Sequence, residues 1–332
     1  MMLDLANPGL RRGWYPVALS NELTDSPLGV RLLDEHWVLT RRGGRVQAFV
    51  DRCPHRLAPL SAGCILDDGT LQCPYHGWRY DTAGVCTLIP ALGPGATLPP
   101  RARLTPAADV VELVGIVWLA PEPPVAPLPE IPEAADPAFS LGMLAPARAE
   151  LDPGVTIDNF CDIAHFAFVH AGTFGAAESP EVGELVVLSD AFTATLVDEH
   201  EFMNREDPGV AAGLRPVVQR RRATYRYVAP FTGVLTLEYL DTGGTNVIVF
   251  GVQPEHDATA RVYTALVRND VADAGELAAA IAYEQSVLDE DLVLGRRMPR
   301  PLPLDVTAEV HTRADKLTLE IRRILARLQG TS

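Results

Sequence analysis

The chain has 332 residues, 47% of them hydrophobic, and a formal net charge of −15. That length suits about two domains with substantial cores, and so acidic a balance argues against nucleic acid, whose phosphates need a basic face. No run is long enough to span a bilayer, the N-terminus MMLDLANPGLRRGW lacks the layout of a signal peptide, and the five cysteines need not pair, so a reducing cytoplasm is the expected location.

From Trp14 to about Pro121 the sequence is dense in short β-type runs broken by turn residues, such as Val30–Leu33, Trp37–Thr40, Val46–Val50, Thr70–Gln72 and Gly115–Leu119. This predicts a small all-β domain over residues 1–121. Inside it stand Cys53-Pro54-His55 and Cys73-Pro74-Tyr75-His76. Each pair mixes one thiol with one imidazole. Zinc sites of two cysteines and two histidines usually group like with like. Two thiolates on one iron and two imidazoles on the other define a Rieske [2Fe–2S] centre. Replacing two anionic ligands by neutral ones raises the reduction potential above that of an all-cysteine cluster. Arg52, Arg56 and Arg79 gather near these loops, where they solvate the loops or form a cationic collar for an acidic electron donor.

Residues 121–137 read PEPPVAPLPEIPEAADP. Proline at this density suits neither a central strand nor a helix interior, so residues 122–145 are expected to link two domains. The remainder, 146–332, forms the second. Its β-type runs are Glu184–Ser189, Ala191–Asp198, Ala223–Ala229, Gly233–Leu240, Asn246–Val252 and Arg261–Arg268, consistent with one antiparallel sheet. Two helical patterns close the chain, at about Ala274–Arg297 and Thr307–Gln329. The second carries Leu317, Ile321, Ile324, Leu325 and Leu328 at helical spacing and should pack on the sheet. The fold class is therefore α+β.

Residues 158–170 read DNFCDIAHFAFVH. His165 and His170 lie in apolar company, where imidazole is a common iron ligand. Positions five apart are roughly 140° apart around an ideal helix, so both can face one ion only if the helix is distorted or ends between them. A carboxylate would complete the facial triad of a non-haem Fe(II) oxygenase. Asp289, Glu290 and Asp291 are candidates. Asp291 falls on the edge of the apolar stripe Leu277, Ala280, Ile281 and Leu288, while Asp289 and Glu290 are expected to point elsewhere. Phe160, Phe166, Phe168 and Phe174 crowd the motif; most suit core packing, and one or two could line an apolar pocket.

Taken together, the C-x-H…C-x-x-H-G-W block, the D-N-x-x-D-x-x-H-x₄-H segment and the late E-D pair resemble the catalytic α subunit of Rieske non-haem iron oxygenases. The group resembled is the single-component trimeric monooxygenases and demethylases. The resemblance implies a helix-grip-like catalytic domain after the Rieske domain. It implies that Cys53 and Cys73 hold one cluster iron, that His55 and His76 hold the other, and that His165, His170 and Asp291 hold a mononuclear Fe(II). Asp162 matches the family's bridging aspartate, between His165 and His76 of a neighbouring subunit, and Asn159 matches a position near the iron. A head-to-tail homotrimer, NAD(P)H electrons arriving through a reductase or ferredoxin, O₂, and an apolar, aromatic or alicyclic small molecule follow as expected partners. Gly295-Arg296-Arg297-Met298-Pro299 departs from the family's longer polar helix. The other reading is a Rieske electron carrier without a second iron.

Overall fold

The computed structural model describes residues 1–171, 173–175, 180–203, 210, 216–256 and 259–330. The chain divides into two units. The smaller comprises Arg11–Val125 with a short segment beginning at Pro254. It contains three antiparallel sheets. Tyr15–Leu19, Ile116–Ala120 and Asp109–Leu113 form the first; Leu28–Leu32, Glu35–Arg42 and Arg45–Val50 form the second. Gly43 and Gly44, at φ +59° and +73°, make the tight turn between the last two strands, a left-handed pair that matches hairpin twist and that side chains resist. The third sheet has four short strands, Cys64–Ile65, Leu71–Gln72, Arg79–Tyr80 and Cys86–Leu88. Buried Arg42 ties the second sheet to the third by donating to the carbonyls of Tyr80 and Asp81, at 3.1 and 3.0 Å.

The larger unit comprises Met1–Leu10, Ala126–Gln253 and the C-terminal segment. Its eight-stranded sheet runs in the order Ser140–Met143, Thr259–Arg268, Thr245–His256, Thr232–Tyr239, Val218–Val228, Thr193–Met203, Val187–Ser189, with Ala147–Ala149 also on Thr259–Arg268. Ser140–Met143 falls within the stretch read from sequence as linker, and pairs with Ala265–Arg268. The central strands alternate as one buried face requires. Along Val218–Val228, Gln219, Arg221, Ala223, Tyr225 and Tyr227 all point inward. In register on that face lie the rows Asp198–Ala223–Leu237–Asn246 and His200–Arg221–Tyr239.

Four helices complete the unit among the described residues. Helix α1, Pro153–Phe160, starts at Asp152, whose side chain accepts from the Val155 N–H at 3.0 Å, with Pro153 just inside, a favourable start on both counts. Helix α2 is the single turn Phe166–Val169. Helix α3, Ala274–Gly295, is capped by Asp273 through the N–H groups of Gly275 and Glu276. Helix α4, Lys316–Leu328, buries Leu317, Ile321, Ile324 and Leu325; Leu328 is only half-buried. No described helix is long and apolar enough to cross a membrane.

Arg322 of α4 reaches the Asp158 carboxylate of α1 at 2.8 Å and also pairs with Glu309. Burial pushes the Asp158 carboxyl up to about 6 despite Arg322. Arg322→Ala would strand a carboxylate next to the segment that carries His165. Breaking such a buried pair costs about 3–5 kcal/mol. A drop of roughly 10 °C in the melting transition of this unit is expected by calorimetry.

Candidate metal centres and substrate pocket

In the small unit the two Cys/His loops share a backbone plan. The Cys53 N–H donates to the Ala58 carbonyl at 2.9 Å and the Cys53 carbonyl accepts from Leu57 at 2.9 Å. The Cys73 N–H likewise donates to Trp78 at 2.8 Å, and its carbonyl accepts from Gly77 at 3.1 Å. The fourth residue after each cysteine is left-handed: Leu57 at φ 60° and Gly77 at φ 68°. A leucine there is strained. The cysteines are 1% and 2% exposed, whereas His55 is half-buried and His76 exposed. The imidazole centroids are 4.5 Å apart.

Burial, and then the neighbouring Cys53, raises the Cys73 thiol, and Tyr80 Oη lies 3.1 Å from Cys53 Sγ. His55 Nδ1 is buried without a hydrogen-bond partner. Two soft sulfurs side by side, and an imidazole nitrogen with nothing to bond, suit a [2Fe–2S] cluster. Of the basic residues nearby, Arg79 pairs with Asp68 at 3.7 Å.

In the large unit His165 and His170 flank α2 as its two caps. The helix is one turn long, so the ideal-helix angle between the two positions does not apply. Their Nε2 atoms are 3.1 Å apart, and Asp291 Oδ1 lies 3.5 and 3.3 Å from them. Donors bound at right angles about 2.1 Å from one metal lie ~3 Å apart. Two facing imidazole nitrogens and a buried carboxylate oxygen without a hydrogen-bond partner leave room for one cation. Burial lowers the His165 pKa, but Asp162 and Asp291 outweigh it and hold the ring up to about 9. The Asp291 carboxyl, raised by burial, is driven well below the usual range by His165, His170 and Asn159. Asn159 thus touches the third member of the group.

Each imidazole also has a second carboxylate. Asp162 Oδ2 lies 3.4 Å from His165 Nδ1, while its Oδ1 accepts from the Ala164 N–H at 2.9 Å. Glu290 Oε2 is 2.7 Å from His170 Nδ1 and takes the Thr173 hydroxyl at 3.1 Å. The expectation that Glu290 points elsewhere is therefore corrected. Asp289 is engaged with Gln285 at 3.3 Å, on the exposed side. Carboxylate–histidine contacts of this kind fix the ring orientation of a metal ligand.

The turn after α2 depends on Gly175. A Cβ there would lie 2.1 Å from the Phe166 carbonyl oxygen and 2.8 Å from the His170 carbonyl carbon. Gly175→Ala must push His170 out of place. Overpacking of this kind costs about 1–3 kcal/mol, and the larger loss is expected in iron: the protein should keep its cluster spectrum but retain less than half of its mononuclear iron on elemental analysis.

A pocket opens beside the triad, roofed by α1–α3 and floored by the sheet. Phe160, Phe166 and Phe174 line it; Phe160 stacks on Phe250 at 4.4 Å. Phe168 is 71% exposed and takes no part. Its polar lining residues include Arg221, Tyr239, Thr264 and Glu284, none of which the sequence reading singled out. Glu284 lies two helical turns before Asp291, a spacing that could have flagged it.

A cluster-binding unit and a pocket built around a candidate iron triad define a redox enzyme of the oxygenase class. Residues 13–105 match the Rieske [2Fe–2S] domain and residues 151–330 the vanillate O-demethylase oxygenase C-terminal domain. The chain is 30% identical to methylxanthine N3-demethylase NdmB of Pseudomonas putida, over 95% of this chain and 88% of that protein. It is 38% identical to the oxygenase component of dicamba O-demethylase from Stenotrophomonas maltophilia, over 48% of each. Pseudomonas putida NdmA with caffeine superposes with a TM-score of 0.83 at 27% identity, covering 98% and 93% of the two chains. The chain belongs to the Rieske non-haem iron oxygenases. It is an oxidoreductase of that family, with a [2Fe–2S] cluster, a mononuclear iron and electrons drawn from NAD(P)H through a separate donor.

Proposed function

We propose that the protein is an oxidative demethylase acting on a methyl group carried by nitrogen or oxygen of an aromatic ring. The observation that carries this reading is the aromatic-walled pocket opening on the His165–His170–Asp291 group. The relatives named above are N- and O-demethylases. Cys53, His55, Cys73 and His76 would hold the cluster, and His165, His170 and Asp291 the ferrous ion. When bound, these groups supply stored electrons and the activation of dioxygen.

The chain's own residues do the rest. Phe160, Phe166 and Phe174 exclude water and hold the ring, so that its methyl carbon faces the triad. Asp162 and Glu290 face the Nδ1 atoms of the two imidazoles and so orient each Nε2 toward the shared site. Oxidation of the methyl group consumes one O₂ and two electrons with two protons. One oxygen atom enters the C–H bond, the other leaves as water, and the hydroxymethyl product loses formaldehyde to leave N–H or O–H.

We also assign Asp162 the bridge to His76 of a neighbouring subunit in a homotrimer, and Asn159 a contact on Asp291. The donor is a reductase or a ferredoxin. The test is turnover with a surrogate reductase, following NADH, O₂ and formaldehyde together. Formaldehyde equal to substrate consumed is expected. Oxygenated product without formaldehyde would refute demethylation, and about two irons per chain instead of about three would leave only the electron carrier.

A further inference from the structure

Two charged side chains, one buried and one half-buried, line the pocket without an ion pair between them. Arg221 is 6% exposed. Its Nε donates to His200 Nε2 at 2.8 Å, and His200 Nδ1 is held by Asp198 at 2.8 Å. The guanidinium carbon lies 4.5 Å from the Phe202 ring centroid and 5.4 Å from that of Phe174. The position is fixed on one edge by the imidazole and by two neighbouring aromatic rings. Opposite stands Glu284 of α3. Glu284, Val287, Leu288 and Asp291 line the pocket along one face of that helix, and seven residues of helix span about 10 Å. Arg221 and Glu284 make no ion pair with each other or with another described residue, and Arg268, the other cation near Glu284, is taken by Asp270 at 2.7 and 2.9 Å.

We propose that Arg221 and Glu284 are the two poles of a recognition site for a neutral aromatic substrate whose edge carries a hydrogen-bond donor beside an acceptor, as in a cyclic amide or urea. The proposal rests on the demethylase reading and deepens it by naming the substrate class. The acceptor faces Arg221, the donor faces Glu284, and the methyl group to be removed lies toward Asp291. Two pocket charges of opposite sign already offset one another. A substrate carboxylate would bring a third charge into the cavity without an unmatched counter-ion, which desolvation makes costly. A plain hydrocarbon would leave the Glu284 carboxylate and the remaining guanidinium N–H groups without a substrate partner, the kind of mismatch that enforces strong discrimination. Tyr225 Oη and Thr264 Oγ1, also on the pocket wall, have no hydrogen-bond partner and favour further polar atoms on the ring.

The test is calorimetric titration of the iron-loaded enzyme, without reductase, using four probes: 1-methylbenzimidazol-2-one, its 1,3-dimethyl analogue that lacks the N–H, 4-methoxybenzoate and 4-methylanisole. The first is expected to bind at least tenfold more tightly than each of the others. Glu284→Gln should bring the first two within threefold of each other. Glu284→Leu should weaken the first more than the second, and a thermal melt of each variant controls for folding. Tightest binding by the benzoate, or a Glu284→Gln change that scales all four probes by one factor, overturns the proposal. If the expected selectivity holds and yet no probe yields formaldehyde, the demethylase reading fails while the recognition site stands.

Discussion

Asp291→Ala is expected to purify as a red protein with an unchanged cluster spectrum, about two irons per chain instead of about three, and no detectable product. The argument is electrostatic. Asp291 is the only carboxylate oxygen within reach of both Nε2 atoms among the described residues, at 3.5 and 3.3 Å. Its carboxyl stays ionised despite burial because His165, His170 and Asn159 all favour the charge. Removing it leaves only the two imidazole donors in a cavity walled by phenylalanine, where a dication without anionic ligation has no compensation for lost water. Glu290 cannot substitute, since its Oε2 is already committed to His170 Nδ1 and Thr173. Iron counts by mass spectrometry and a substrate assay in parallel check this. Full iron content in the variant would remove Asp291 from the ligand set.

The β character of both units was legible because most strands alternate or run apolar between turn residues. Thr193–Met203 and Val218–Val228 extend beyond the expected Ala191–Asp198 and Ala223–Ala229 at their polar ends. There Gln219 and Arg221 point inward. Polar residues on a buried face break the hydrophobic signal, and they do so here because they serve the pocket. The strand Ser140–Met143 was missed for a related reason: it lies in the proline-rich stretch read as linker, and its pairing comes from a distant partner, Thr259–Arg268. Helix α1 was also missed, since eight residues give too short a period; its Asp152-Pro153 start was the available signal.

At the triad, the spacing of His165 and His170 was legible but not their orientation. A one-turn helix that ends at the second histidine cannot be told from a continuous one by periodicity alone. The helix-face argument that favoured Asp291 is sound for Asp291, yet it discarded Glu290. A residue next to the inward stripe can still reach sideways, and His170 Nδ1 at 2.7 Å rewards it. Arg221, His200 and Asp198 come together only through strand register, which no local pattern carries.

Asp162→Asn should retain both metals and lose about 10–100-fold in turnover, the range that such supporting carboxylates command. The substitution keeps the side chain's size and the Oδ1 acceptor for the Ala164 N–H. What changes is the atom 3.4 Å from His165 Nδ1. A carboxylate oxygen there takes the ring proton and fixes Nε2 as the free donor toward the metal; an amide NH₂ meets that proton as a second donor. Asp162 also supplies one of the two pulls that hold His165 up to about 9, so the charge seen by the ring falls as well. In the proposed trimer the same carboxylate reaches His76 of a neighbouring subunit, and the lost contact lies on the path of the electron. Mixing the reduced protein with O₂ and substrate in a stopped-flow instrument separates the two effects. Slow reoxidation of the cluster with a full complement of iron is the expected result. Rapid reoxidation with normal product would confine Asp162 to local support of His165 and remove the bridge.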